Sequence, residues 1–290
     1  MVTESGLPAK ELFRWGIKAM KEAGIQEPAL DAAVLLGYVC GKGPGETLIA
    51  GKAFLRPEEA ELYVDLVSRR CNREPVSIIL GHKEFYSLDM MVNGDVLTPR
   101  PETEILVREA DSFLKGCGQN QLVADVGTGS GAVAVTLAVL NESAVFVAVD
   151  ISRRAVDVAR ENARSHRVDD RIIFVVSDMA SAIEAGKFDL VVSNPPYIPM
   201  DEYGILPPEV RIAEPVQALV AGPLGTEFHH VIIDQGVKML RPGGVLMVEV
   251  GFGQHLEVAE LFELHGYCDV EIVPDLADIQ RVVKGTLRDV

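Results

Sequence analysis

Leu122-Val123-Ala124-Asp125-Val126-Gly127-Thr128-Gly129-Ser130-Gly131 is an apolar run that passes into a loop of alternating glycines. A run of that kind reads as a strand covered on both faces. The glycines let the chain turn tightly and bring its backbone close to a ligand, and a helix opening at Gly131 would present free N–H groups there. The same unit recurs outward from this point. Val145–Val149 precedes a helix from Arg153, and Ile172–Val176 and Phe188–Val192 follow as further strands. Beyond them lie a helix around Thr226–Leu240, a strand Val245–Val250, a helix Gln254–His265, and strand candidates at Asp269–Val273 and Gln280–Lys284. Such alternation predicts an α/β fold with a doubly wound, mostly parallel sheet. The last two strands leave no room for a crossover helix, so an antiparallel edge is expected.

Upstream the pattern changes. From Leu7 to about Arg73 the apolar spacing is helical, with Leu12, Trp15, Ile17, Met20 and Ile25, then Leu30, Val34, Leu35 and Tyr38, then Ala60, Leu62, Tyr63, Leu66 and Val67. Breaks at Gly41-Lys42-Gly43-Pro44-Gly45 and at Arg56-Pro57 separate the pieces. Residues 1–74 are therefore read as a small helical domain, with Trp15 in its core. Residues 75–99 read as a β-hairpin linker with Asn93-Gly94 as its turn signal, and 100–290 as the larger domain. In Thr98-Pro99-Arg100-Pro101-Glu102-Thr103-Glu104, Pro101 suits a helix start and the glutamates favour its positive end.

The chain has 290 residues and a formal net charge of -16. That balance argues against sequence-independent binding to phosphate backbones, which relies on Lys and Arg. Clusters such as Ser68-Arg69-Arg70 and Ser152-Arg153-Arg154 are short, so direct nucleic-acid binding is not expected. Cys40, Cys71, Cys117 and Cys268 form no CxxC pair and read as thiols of a reducing compartment. His229-His230 falls at a helix start without metal-ligand spacing, so no metal is expected. No apolar run reaches the length of a membrane span and no signal sequence precedes the helices, which points to the cytoplasm.

Chemistry concentrates at the ends of the strands. Gly127, Thr128, Gly129, Ser130 and Gly131 imply a nucleotide-type cofactor. Asp150 closes the second strand, nineteen residues beyond Gly131, where it could accept hydrogen bonds from both ribose hydroxyls. NAD and S-adenosylmethionine would both want an acid at that point. Features that favour the second are the GxGxG spacing, and Asp178 and Met179, which could present an acid and an apolar side chain to an adenine. The third is Asn194-Pro195-Pro196-Tyr197 after the fourth strand. A rigid carboxamide oxygen and a main-chain carbonyl can accept both hydrogens of one planar NH2 group, and a tyrosine ring can stack on the group that carries it. Hydride transfer has no use for that device.

Together these motifs resemble the amino-methylating S-adenosylmethionine-dependent methyltransferases. Gly81-His82-Lys83-Glu84-Phe85-Tyr86-Ser87, the Leu97–Glu104 segment, Arg211-Ile212-Ala213-Glu214-Pro215 and Asp278-Ile279-Gln280-Arg281 narrow the likeness. Over residues 75–290 the chain is similar to the HemK/PrmC family, which methylates the glutamine of the Gly-Gly-Gln loop in class I peptide chain release factors. Thr98 and Ala213 depart from the family pattern without touching the cofactor or amide motifs. The resemblance implies a Rossmann-like methyltransferase sheet, S-adenosylmethionine bound by Gly127–Gly131, Asp150, Asp178, Met179 and Asn194, and a helical domain that recognises the substrate. It implies that Asn194 and the Pro195 carbonyl orient the glutamine amide, with Pro196 and Tyr197 packed on its plane, in an enzyme acting as a monomer. An enzyme methylating adenine-N6 or guanine-N2 would use the same grip on a flipped base. A module that binds the cofactor without turnover is the remaining alternative.

Overall fold

The computed structural model describes residues 7–43, 54–179, 181 and 186–288. The chain divides into two compact units, one of Met1–Gly81 with Pro207–Ala213 and the other of His82–Leu206 with Glu214–Val290.

The first unit is built on helices Ala9–Glu22, Pro28–Cys40 and Pro57–Cys71. Prolines open the second and third, where a missing N–H costs nothing. Arg56 and Glu59 close a reciprocal cap on the third, and Gly41, at φ 62°, ends the second. Met20, Leu35, Tyr63 and Val67 fill the core. Leu7–Pro8 is not helical but pairs antiparallel with Phe54–Leu55. The Pro44-Gly45 part of the expected glycine-rich break lies outside the described residues. Trp15 corrects the sequence reading, since it is 42% exposed. Its helix buries Gly16 and Met20 instead, and the Tyr63 ring packs where Gly16 leaves room. The short helix Pro208–Ala213 belongs to this unit, its Glu209 accepting from Arg70 at 3.3 Å and Arg73 at 3.1 Å.

Residues 75–99 contain more than a hairpin. Val76–Leu80 forms a short helix that Gly81 ends at φ 80°, and the hairpin is His82–Phe85 with Leu88–Met91. Its turn is Tyr86-Ser87, both with positive φ, and Glu104 accepts the Tyr86 N–H at 2.9 Å. Asn93-Gly94 turns the chain after the hairpin, with the Asn93 side chain accepting from the Asp95 N–H at 2.9 Å.

The second unit holds a seven-stranded sheet. Its strands in chain order are β1 Leu122–Val126, β2 Val145–Asp150, β3 Ile172–Val176, β4 Phe188–Ser193, β5 Leu240–Glu249, β6 Tyr267–Pro274 and β7 Gln280–Leu287. They lie in the order β6-β7-β5-β4-β1-β2-β3. β5, β4, β1, β2 and β3 run parallel, and β7 is antiparallel to both its neighbours. Alternate residues of one strand enter opposite cores. Val123 packs with Leu106, Ala110 and Leu137 on one face, whereas Ala124 and Val126 pack with Ile232, Val258 and Phe262 on the other. The strand order reverses between β1 and β4. Open α/β sheets bind ligands at such a point, outside the carboxyl ends of the strands.

Candidate active site

A cleft of about 200 Å³ opens at this edge. It brings together Gly127 and Gly129 after β1, Asp150 at the end of β2, Asp178 and Met179 after β3, and Asn194, Pro195 and Pro196 after β4. These residues are far apart in the chain and meet because parallel strands place all their carboxyl ends on one side. Leu97 and Pro215, from two of the segments that carry the family likeness, also line it, together with Ser177 and with Phe228, which no sequence pattern marked.

The glycine loop is held from below. Buried Asp125 accepts from the Thr128 hydroxyl at 2.7 Å and the Ala134 N–H at 3.1 Å, and burial pushes its pKa up to about 6. Gly127 and Gly129 have φ of 78° and 56°, with open space where a Cβ would stand. A ligand can therefore lie against their main chain. The other motif residues face inward. Thr128 is buried on Asp125, the Ser130 carbonyl accepts from Asn162 at 2.8 Å, and a Cβ on Gly131 would meet that of Ala159 at 2.9 Å.

Asp150 accepts the Gly129 N–H on one oxygen and the Ser152 N–H on the other, both at 2.9 Å. Burial pushes its pKa up, against those backbone hydrogen bonds. A carboxylate has about four acceptor positions, so capacity remains for ribose hydroxyls. Asp178 is exposed and Met179 half-buried at the cleft. Glycine backbone, spare carboxylate acceptors and apolar lining together fit the ribose and base of S-adenosylmethionine.

Asn194 is the chemically distinctive member. Its Nδ2 donates to the Thr103 hydroxyl at 3.0 Å, while its buried Oδ1 has no hydrogen-bond partner. An acceptor left bare in this way costs free energy unless a ligand satisfies it. Pro195 is buried and Pro196 half-buried, which stiffens the loop. Tyr197 does not line the cleft. Its hydroxyl donates to Glu249 Oε1 at 3.3 Å, and its ring lies where a Cβ on Gly251 would be 3.0 Å away. Gln254 holds the same loop by donating to the Tyr197 carbonyl at 2.9 Å.

Glu249, at the end of β5, is fully buried, and its Oε2 is unpartnered. Burial pushes its pKa up to about 7, with the Thr103 and Tyr197 hydroxyls holding it down. Burial likewise raises the Tyr197 phenol, with Glu249 adding to the effect. His229 is buried, with its Nε2 2.8 Å from the Glu249 carbonyl oxygen. Arg100 pairs with buried Glu214 at 2.6 Å, joining two motifs that are distant in sequence. Glu249 was missed because nothing in its spacing links a strand end to the Asn-Pro-Pro-Tyr loop.

Two family models match the chain, the "PrmC N-terminal domain" over residues 11–81 and the "Methyltransferase small domain" over 102–204. A release factor glutamine methyltransferase of Rhodospirillum rubrum is 42% identical over 98% of this chain and 87% of its own length. That of Caulobacter vibrioides is 38% identical over 92% of each chain. Among solved structures, a methyltransferase from Pyrococcus furiosus aligns with TM-score 0.52 at 18% identity, over 77% of this chain and 98% of that one. The hMettl16 catalytic domain, in complex with the MAT2A 3′UTR hairpin 6, aligns with TM-score 0.59 at 15% identity, over 88% of this chain and 93% of that one. At such identities the structures share the fold.

Proposed function

This chain belongs to the release factor glutamine methyltransferase family, and from that membership we infer that it methylates the side-chain amide nitrogen of the Gly-Gly-Gln glutamine in class I release factors. The observation that carries the reading to particular atoms is the buried, unpartnered Oδ1 of Asn194, at the cleft that also holds the glycine loop and Asp150.

S-adenosylmethionine, when bound, supplies an electrophilic methyl group on a positively charged sulfur. Gly127 and Gly129 hold it through their main chain, Asp150 through the ribose, and Asp178 with Met179 border the base. Asn194 Oδ1 accepts one N–H of the substrate amide and the Pro195 carbonyl accepts the other. An amide nitrogen is a weak nucleophile because its lone pair is shared with the carbonyl, so these residues act mainly by alignment. Near-attack positioning can contribute roughly 7–11 kcal/mol. The two acceptors also stabilise positive charge developing on nitrogen. Tyr197, anchored by Glu249 and Gln254, supports the loop that carries the two acceptors. No side chain need act as a strong base, since the methylated amide can release its proton to water.

The helical N-terminal unit is the substrate-recognition module in this reading. It leaves Trp15, Leu30, Tyr38 and Leu62 exposed, which a protein partner could cover. Action as a monomer in the cytoplasm, without direct nucleic-acid binding, completes the proposal. No described helix is long and apolar enough to cross a membrane.

Incubation with methyl-labelled S-adenosylmethionine and a release factor should label the normal factor and leave unlabelled a variant with alanine in place of the motif glutamine. Label on both would move the acceptor elsewhere on the factor. Label on neither, with transfer to adenine or guanine amines in RNA or DNA, would replace this reading with the nucleic-acid one.

A further inference from the structure

One side of the cleft is made by two segments that come from distant parts of the chain. Val96 and Leu97 precede the helix Thr103–Gly116, whereas Pro215, Gln217 and Ala218 follow Glu214, where the chain returns to the second unit. Neither segment is a strand of the seven-stranded sheet, so its ladder does not fix them. The far end of the second segment is held by main chain. The Ile198 N–H donates to the Leu219 carbonyl at 3.0 Å, and the Met200 N–H to the Gly222 carbonyl at 2.8 Å. Its near end is held by a side chain, with Arg100 Nη2 donating to Glu214 Oε2 at 2.6 Å. Arg100 is a rigid base for that bond. Prolines on both sides restrict its backbone, and its carbonyl accepts the Thr103 N–H at 3.1 Å.

We propose that Arg100 and Glu214 are positioning residues that pin these two segments together as one wall of the S-adenosylmethionine cleft. Neither residue lines the cleft, so the effect runs through Leu97 and Pro215, which do. Stability alone is a poor reason for the pair. A buried carboxylate with an arginine partner often does no better than apolar side chains of similar size. The bond holds in either protonation state of Glu214, since Oε2 can accept from a guanidinium whether or not the other oxygen carries a proton. Without the pin the wall spends part of its time where it does not fit the ligand, and apparent affinity falls by the fraction of molecules in which it does.

The inference rests on the reading of this cleft as the cofactor site, not on Asn194 as the amide acceptor, and the test separates these. S-adenosylhomocysteine is titrated calorimetrically into the full-length protein without release factor, for wild type, Arg100→Met, Glu214→Leu, Arg100→Met/Glu214→Leu, Glu214→Gln and Gly129→Ala. Arg100→Met and Glu214→Leu should each weaken binding roughly 10-fold. The double variant should be no worse than the weaker single one, because either change removes the same pin. It leaves no unpaired buried charge, so it gives a folded readout even where a single variant folds poorly. Glu214→Gln keeps a carbonyl oxygen to accept from Arg100 and should stay within roughly threefold of wild type. In the unliganded protein, exchange should quicken at the Ala218 and Leu219 amides, which donate to the Pro215 and Val216 carbonyls at 2.9 and 3.0 Å. In turnover the loss should fall on KM for S-adenosylmethionine rather than on kcat, the opposite of what Asn194→Ala should show. Wild-type affinity in the folded double variant, Glu214→Gln as damaging as Glu214→Leu, or losses that multiply in the double variant would overturn the pin. Unchanged affinity in Gly129→Ala would defeat the placement of the cofactor in this cleft, and the proposal with it.

Discussion

Glu249 carries a consequence for stability that is separate from turnover. Its carboxyl titrates near 4.5 when unperturbed, and burial pushes it up to about 7 in the folded protein. The folded state therefore holds the proton more tightly than the unfolded chain. That contribution is complete below about pH 4.5 and is lost as pH rises through about 7. Glu249→Gln carries no charge to bury, so its thermal midpoint should match wild type near pH 4.5 and exceed it increasingly towards pH 8, with a stability gain on the order of 3 kcal/mol at most. Parallel midpoint curves across that range would show that the Glu249 carboxyl titrates in the folded protein as it does in the unfolded chain. Asp125, raised to about 6, contributes in the same direction and remains in both proteins. Asn194 was legible from sequence because Asn-Pro-Pro-Tyr is a local pattern. Glu249 was not, since its partner Tyr197 lies 52 residues away in the chain. Trp15 misled the reading because helical spacing marks a face without saying that a glycine and a tyrosine fill it.

The strand β1, its glycine loop and the following helix were read closely from apolar runs and glycines, since a buried parallel strand leaves little room for other residue types. Within the loop, the glycines do different work. Gly131 stands in left-handed backbone against Ala159, whereas Gly129 stands in left-handed backbone beside open space. Gly131→Ala should thus cost about 2–4 kcal/mol from backbone strain and overpacking together. Gly129→Ala should cost about 1–2 kcal/mol from strain alone and weaken S-adenosylhomocysteine binding more than its stability loss explains. Denaturant midpoints and calorimetric titration check both, and equal stability losses would remove the distinction. The hairpin turn was less legible. Tyr86-Ser87 has neither glycine nor asparagine, and its positive φ values are held by the Glu104 hydrogen bond rather than announced by residue type. Asn93-Gly94 carries the stronger local signal yet only redirects the chain afterwards.

At the scale of the molecule, the alternation of strands and helices predicted the parallel sheet, and the short final connection predicted its antiparallel edge. The reversal of strand order between β1 and β4 then explains why motifs spread from Gly127 to Asn194 line one cleft. Fold alone does not choose the substrate, since the same fold appears at 15% identity in a domain bound to an RNA hairpin. The net charge of -16 points away from a nucleic-acid substrate, whereas the Asn194 carboxamide would grip an NH2 group of either kind. The most direct test is a paired measurement on Asn194→Ala, of kcat with a release factor and of the dissociation constant for S-adenosylhomocysteine. A fall in kcat of roughly 100-fold or more with the dissociation constant nearly unchanged is expected if Oδ1 aligns the substrate amide. Equal losses in both, or an unchanged kcat, would contradict it and leave Asn194 a structural residue of the loop.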